Sequence, residues 1–170
     1  MGLDMYLYVM LKPKVEEEKS ETLKMMLPNG EEIVIQVSDA DTETPSHKHV
    51  DKEFADFELD SKRLLVGEWR KANQIHGWFV RNSPKPCGEC ESVPIEDDLL
   101  KRLLEDCKKV KADHSLAEEL LHPYEGFFFG SYEIDDHYFE QIDETITILE
   151  KALAQDWGKY FHIFIYDTSW

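Results

Sequence analysis

Three residues that could form a binding site lie close together in the stretch EWRKANQIHGWFVRN, residues 68–82. On a helix, Trp69, Asn73 and His76 follow one another at spacings of four and three, which places them on one stripe. The apolar residues around them put this stripe at the core-facing edge of the helix. A buried asparagine or histidine is costly unless it is hydrogen-bonded, so either the protein itself or a ligand must satisfy these side chains.

Three interpretations of this stripe stay open. In the first, Asn73 and His76 tie their helix to a neighbouring loop such as residues 126–131, and their role is structural. In the second, Trp69, Asn73 and His76 line the pocket of a small-ligand-binding protein or an enzyme. In the third, they belong to a surface that binds a partner. The first needs nothing beyond the chain itself and is our primary interpretation.

The stretch CGEC places Cys87 and Cys90 at the spacing of half a zinc site or of a redox pair. A closed zinc site needs two more ligands, and the compact candidates are His47 and His49 in HKH and the isolated Cys107. A redox pair normally stands at the start of a helix that follows a strand, whereas this pair lies in a proline-rich loop. We therefore expect a turn with incidental thiols, no metal and no other cofactor.

A third stretch, EGFFFGSYEIDDHYFE, combines acids, a serine and a histidine in a way that invites a catalytic interpretation. Ser131 lacks the flanking frame that a serine nucleophile needs. Asp135 and Asp136 are adjacent, so on a helix they point in different directions and do not easily share a proton or a metal ion. Residues 127–129 instead predict a core strand, and residues 131–136 predict the cap of a following helix. We therefore favour a protein without catalytic activity.

The strands that would position these residues follow from period-two patterns. Alternating apolar residues predict a well-buried strand over residues 4–11. The stretch KYFHIFIYD is apolar on both faces, which predicts an interior strand, and residues 91–95 predict a short one. Residues 22–27 and 31–37 flank the turn sequence PNG and predict a β-hairpin.

Apolar residues at helical spacing predict four helices, over residues 61–81, 95–111, 115–121 and 135–154. Ser115, followed three residues later by Glu118, indicates a capping box on the third of them. The fold class is therefore α+β: a small, mainly antiparallel sheet with the N- and C-terminal strands central, three to four helices packed on it, and a β-hairpin arm. We expect one domain over residues 1–170, with residues 12–60 as a hairpin and loop insertion.

The chain is strongly acidic, with 36 Asp and Glu against 19 Lys and Arg and a net charge of -17. Direct binding to a nucleic-acid backbone is disfavoured, because phosphate contacts normally require Lys or Arg. A basic protein surface is the more plausible partner, and charge that only keeps the protein soluble is the simpler alternative. Glu133, Asp136 and Glu140, around the start of the last predicted helix, are the candidate residues of an acidic interaction surface.

Two sequence features concern the compartment. No run of about 18 apolar residues occurs, so we expect no membrane-spanning helix. The start MGLDMYLYVML lacks the basic leader and the cleavage site of a signal peptide. We therefore expect a cytoplasmic protein with reduced thiols and no membrane partner, and its oligomeric state stays open.

The stretches MGLDMYLY, WRKANQIHGWFV and GFFFGSYEIDDHYFEQIDETITILEKAL together resemble a family of small proteins encoded by bacteriophages and prophages. The likeness covers both ends and the middle of the chain, whereas residues 12–60 depart from the pattern. The resemblance implies an origin in a mobile element and no particular chemistry.

Small acidic phage proteins often act by binding host machinery. With the charge, the resemblance predicts a cytosolic protein in a bacterial host that binds a host or phage protein through its acidic surface, for example as an inhibitor. A small-ligand-binding protein or enzyme with a pocket at Trp69, Asn73 and His76, and a structural component of a phage assembly, are the alternatives.

Overall fold

The computed structural model describes residues 2–13, 21–26, 32–37, 62–85, 87, 90, 92–157 and 160–170. Within these ranges lie six strands and four α-helices. In chain order they are β1 Asp4–Pro13, β2 Glu21–Met26, β3 Glu32–Val37, β4 Lys62–Arg70, α1 Asn73–Asn82, β5 Ser92–Ile95, α2 Asp97–Ala112, α3 Ala117–Leu120, α4 Asp136–Leu153 and β6 Tyr160–Ser169. A single 3-10 turn, His114–Leu116, leads into α3.

Four of the described strands form one antiparallel sheet in the order β4-β1-β6-β5. The strands nearest the two ends of the described chain, β1 and β6, therefore lie at its centre and pair along their whole length. Their position follows from their largely apolar composition, because such strands are stable in water when neighbouring strands and a packed core cover them. The α+β fold class and the central place of these two strands are confirmed.

The other two described strands form the β-hairpin. β2 and β3 pair antiparallel, with Leu23 opposite Ile35. This pairing confirms the hairpin, while its turn lies outside the described residues. The expectation of one domain with an insertion over residues 12–60 stays a prediction.

One face of the four-stranded sheet carries the core. Leu3, which precedes β1, and the odd-numbered residues of β1 up to Leu11 belong to this core and are fully buried or nearly so: Leu3, Met5, Leu7, Val9 and Leu11. α2 and α4 pack against each other, and α4 also packs against β4. On the opposite face, Arg63 of β4 pairs with Asp167 of β6 at 2.7 Å and lies over the ring of Tyr8. This ion pair spans β1 and joins strands that are not neighbours in the sheet.

The prediction of one helix over residues 61–81 is wrong in its first half. Residues 62–70 form β4, and the helix begins only at Asn73. Pairing with β1 overrides the local pattern, as commonly happens for short apolar runs that fit either period. The strand ends at Arg70, and the next residue, Lys71, has a left-handed φ of 58° and donates its backbone N–H to Leu3 O at 2.7 Å.

Two further predictions need correction. The capping box of Ser115 and Glu118 is absent: Asp113 caps the 3-10 turn, accepting from the backbone N–H of Ser115, because the helical turn is capped two residues earlier than expected. Residues 127–129 form a turn and no core strand. By contrast, Asp135 caps α4 by accepting from the N–H of Tyr138, as the sequence predicts.

Within the described residues, no helix combines the length and apolarity needed to cross a membrane.

Gly67 permits the close approach of β4 to α4. A Cβ atom at this position would lie 2.3 Å from Cγ2 of Ile148, a branched and buried side chain. We therefore expect Gly67→Ala to lower the free energy of unfolding by about 1–3 kcal/mol, the usual effect of overpacking a core. Denaturant titration measures the change.

Gly2→Ala is the matched control, since its Cβ would meet only the flexible end of Lys71, and its stability should stay close to that of the wild type. In the double variant Gly67→Ala/Ile148→Ala, the loss should be smaller than the sum of the two single losses. Strict additivity would show that this contact does not limit the packing.

Candidate functional site

The candidate site is built on α1, a helix that is buried on every side. All residues from Asn73 to Phe79 are buried, including Asn73, Gln74 and His76. Polar side chains in such a helix need partners inside the protein, because water is excluded from them. The partners come from segments that are distant along the chain.

Asn73 uses both ends of its side-chain amide. Its Nδ2 donates to the backbone oxygens of Phe129 at 3.1 Å and Ser131 at 2.7 Å, and its Oδ1 accepts from the backbone N–H of Tyr124 at 3.3 Å. The first turn of α1 is therefore bonded to both sides of the segment over residues 126–131. For Asn73, the interpretation that it ties the helix to this loop is confirmed.

His76 lies at the centre of an aromatic cluster. Its Nδ1 is 2.8 Å from Oη of Tyr166, and its ring makes edge contacts with Tyr124, Phe129 and Trp170 at centroid distances of 5.4, 5.4 and 5.6 Å. Tyr166 comes from β6 and also stacks on Phe79 of α1. The hydrogen bond of the ring therefore links α1 to the sheet, whereas the structural interpretation placed its partner in the 126–131 loop, which His76 reaches only through the ring of Phe129.

The environment of His76 keeps its ring neutral. Burial lowers the pKa of His76 to about 4, and burial also raises the pKa of Tyr166 well above its ordinary value. A neutral tyrosine hydroxyl that donates to Nδ1 leaves the hydrogen of the imidazole on Nε2. In the described part of the chain this buried Nε2 has no hydrogen-bond partner. The rings of Tyr124, Phe129 and Trp170 surround the imidazole, and aromatic rings are only weak acceptors for an N–H group.

Trp69 belongs to β4 and not to the helical stripe. Its indole N–H donates to Oγ1 of Thr145 on α4 at 2.9 Å. A second link runs from Nε2 of Gln74 to Oε1 of Gln141 at 2.9 Å, and Nε2 of Gln141 donates on to the backbone oxygen of Arg70 at 3.3 Å. The three candidate residues therefore form hydrogen bonds with three different parts of the protein. Trp69 bonds α4, Asn73 bonds the 126–131 segment, and His76 bonds β6. A ligand pocket formed by the three remains a hypothesis.

The segment around Phe127 is a rigid aromatic turn, which we name the aromatic turn and define as residues 126–132. Phe129 is buried, whereas the side chain of Phe127 is 94% exposed. The hydroxyl of Tyr132 accepts from the backbone N–H of Gly126 at 3.0 Å and donates to its carbonyl at 2.6 Å. Gly130 closes the turn with a φ of 93°, a backbone conformation that favours glycine.

The candidate acidic residues lie just beyond the aromatic turn, at the start of α4. Glu133, Asp136 and Glu140 are all exposed. His137 lies 3.5 Å from Glu140, while Glu133 and Asp136 have no basic group within ion-pair distance among the described residues. The three acids are therefore available to solvent on one stretch of surface.

The cysteines do not converge on one site. Cys87 and Cys107 are buried and Cys90 is exposed, and none of these three described residues forms a disulfide. Burial raises the pKa of the Cys107 thiol, which makes it a poor nucleophile. Among the described residues, no group of three His, Cys, Asp or Glu could hold a metal ion, and His47 and His49 lie outside them.

The sequence does not single out several residues that contact α1 or the aromatic turn. Tyr166 reads there as one apolar residue of a buried strand, and Gln141 as one polar residue of a helix. No spacing rule links either of them to α1, because strand and helix meet only through the tertiary fold. The apolar run over residues 127–129 predicts a core strand, so it gives no signal that Phe127 is exposed in a turn.

No protein-family model, curated protein or solved structure matches this chain. The resemblance to phage and prophage proteins therefore stays a prediction from the quoted stretches. What can be proposed about function rests on the burial, hydrogen bonds and charges of this chain's own residues.

Replacing Asn73 tests its role in holding the aromatic turn. Asn73→Ala removes the partner of two backbone carbonyls and one backbone N–H, so we expect the free energy of unfolding to fall by about 1–3 kcal/mol. Denaturant titration measures the loss. An unchanged stability, together with loss of a binding activity, would instead favour a functional role for this side chain.

The depressed pKa of His76 predicts a pH-dependent stability. In the unfolded chain the imidazole has its ordinary pKa of 6.5, so the unfolded state takes up a proton before the folded state does as the pH falls towards 4. Stability is therefore full above pH 6.5 and is lost between 6.5 and 4, by about 3 kcal/mol at most for this group.

The comparison for this prediction is His76→Gln, which cannot titrate. Many carboxylates also titrate at low pH, so the measured quantity is the difference in unfolding free energy between the two proteins across this range. We expect the difference to narrow as the pH falls. Parallel curves for the wild type and the variant would show that His76 is protonated equally in the folded and unfolded states.

Proposed function

We propose that this chain is a non-catalytic binding protein that recognises a basic protein surface through an acidic face at the start of α4. The acidic face consists of Glu133, Asp136, Glu140 and Glu144. Asp136, Glu140 and Glu144 are four residues apart, so on a helix they lie along one side. All four side chains are exposed.

The observation that carries this proposal is the uneven neutralisation of α4. Residues 131–156 contain eight acids and the single base Lys151. On another side of the helix, Asp143 pairs with Lys111 at 2.7 Å and Glu150 with Lys108 at 2.6 Å, both lysines coming from α2. The residues of the acidic face receive no such lysines from the described residues, so negative charge is concentrated there.

Helix stability alone does not account for this charge. Acids in the first turn interact favourably with the positive end of the helix dipole, which explains Asp135 and Asp136. The dipole effect fades within one turn, so Glu140 and Glu144 gain little from it. Negative charge that extends beyond the first turn supports an interaction with a cationic partner, whose approach it would accelerate.

The same proposal includes a phage or prophage origin of the chain. It also includes a host or phage protein in the bacterial cytoplasm as the partner, and inhibition of that partner as the outcome. They rest on the resemblance of the three sequence stretches and on the net charge. An acidic face can compete with nucleic acid for a basic protein, which gives inhibition a simple physical route.

One observation favours a second candidate function, the binding of a small ligand near His76. The buried Nε2 of this residue lacks a hydrogen-bond partner in the described structure, and a ligand acceptor could supply one. Thermal unfolding with a panel of metabolites and nucleotides tests this, because a ligand at a hundredfold its Kd adds about 2.7 kcal/mol of stability. A panel without any shift would argue against this candidate.

Charge reversal tests the acidic face. The immobilised wild-type chain captures proteins from bacterial lysate, and each captured protein is identified by mass spectrometry and purified. We expect the association rate of the chain with a captured partner to fall as the salt concentration rises from about 0.05 to 0.5 M, because salt screens the attraction between opposite charges. Glu133→Lys/Asp136→Lys/Glu140→Lys should slow association at low salt, while the melting temperature falls only slightly, because Asp136 alone of the three lies in the first turn and interacts with the helix dipole.

The matched control reverses three exposed acids around the start and along the length of α2: Glu96, Asp98 and Glu105. It changes the net charge by the same amount but leaves the acidic face intact, so its association rate should stay closer to that of the wild type. Equal slowing by both variants would show that only overall charge matters. An affinity that is indifferent to salt would rule out the proposed interaction.

A further inference from the structure

Phe127 is the most exposed large apolar side chain of the described residues, with 94% of its surface accessible. A scattered surface phenylalanine needs no explanation by itself. Phe127 differs because the backbone on both sides of it is immobilised. Flexible loops can turn an exposed aromatic ring inwards, whereas this turn holds it outwards.

Four contacts fix the aromatic turn. The N–H of Phe129 donates to Gly126 O at 3.1 Å, and Leu3, which immediately precedes β1, donates its N–H to Phe128 O at 3.3 Å. Asn73 bonds the carbonyl of Phe129, and Tyr132 holds both backbone groups of Gly126. The neighbouring Phe129 side chain is buried. Phe127 is therefore presented on a preformed scaffold that joins α1, β1 and the start of α4.

The surroundings of Phe127 indicate the charge of what would contact it. Glu125 is exposed on one side of it, and Glu133, the first residue of the acidic face, follows six residues later. Tyr132 is 43% exposed between them. The side chain of Lys71 packs beside Gly130 and brings one positive charge close to the aromatic turn. Along the chain, the aromatic turn is thus flanked by Glu125 and by Glu133 of the acidic face, two exposed acids that favour a cationic partner.

We infer that Phe127 is the anchor residue of the acidic face and inserts into an apolar pocket on a basic partner surface. This inference rests on the proposed function and adds the apolar contact that charge alone does not provide. Interfaces typically concentrate their affinity in a few aromatic anchors surrounded by a polar rim. A ring that is already fixed in its binding position avoids the entropic cost of ordering a loop.

Two labelled helical peptides of equal positive charge serve as probes. The first has a lysine face and a leucine face, and in the second glutamine replaces every leucine. Fluorescence anisotropy at about 0.1 M salt, where charges still act over roughly 10 Å, measures the Kd of each peptide for the full chain. We expect the lysine-leucine peptide to bind more tightly, and Phe127→Ala to weaken it about tenfold without changing its weak lysine-glutamine counterpart.

Phe161→Ala is the matched control. Phe161 is also exposed, at 55%, but lies near the opposite end of β6 from Trp170, which contacts Phe129. This variant should bind both peptides as the wild type does. Phe127→Ala should have the same melting temperature as the wild type, because so exposed a side chain contributes little to the free energy of folding.

The outcomes separate the two proposals. If the charge-reversed triple variant loses both peptides while Phe127→Ala binds both normally, the acidic face stands and the anchor is overturned. If Phe161→Ala causes the loss instead, the apolar contact lies on the sheet and the anchor is again overturned. Failure of the wild type to bind either peptide, or binding that survives charge reversal, overturns the proposed function and the anchor with it.

Discussion

The side chain of Asn73 joins the first turn of α1 to backbone groups that lie between 51 and 58 residues further along the chain. Because an amide offers two donors and two acceptor positions, one residue can hold two carbonyls and one N–H at once. These bonds fix where the chain passes before it enters α4. The placement of the aromatic turn, and of the acids that follow it, depends on this one buried group.

The other polar groups of α1 act in the same way on different neighbours. Gln74 reaches α4 through Gln141, and His76 reaches β6 through Tyr166. Apolar packing would allow small shifts between these elements, whereas hydrogen bonds require one alignment. The helix is therefore the part of the core that sets the positions of its surroundings, and its polar residues contribute to this alignment as well as to stability.

The order of elements was largely predictable, because strands such as β1 and β6 show strong patterns. The hairpin, the last two long helices and the cap at Asp135 were predicted for the same reason. β4 was mistaken for helix, since its short apolar run fits either period until β1 supplies a pairing partner. The role of Asn73 was foreseen from the cost of burying an amide, but the partners of His76 come from a distant strand and leave no local signal.

The four-stranded sheet described here ends at β4 on one side and at β5 on the other. β1 carries an irregularity between Leu7 and Tyr8 where it pairs with β4, whose exposed Glu68 and Arg70 add charge to that margin. β5 is only four residues long and contains Pro94, which has no N–H to offer. An exposed edge strand can pair with a strand of another molecule, and edge strands that are short, charged or contain proline disfavour such pairing. Concentrated solutions of the protein should consequently stay free of strand-to-strand aggregation at these two margins.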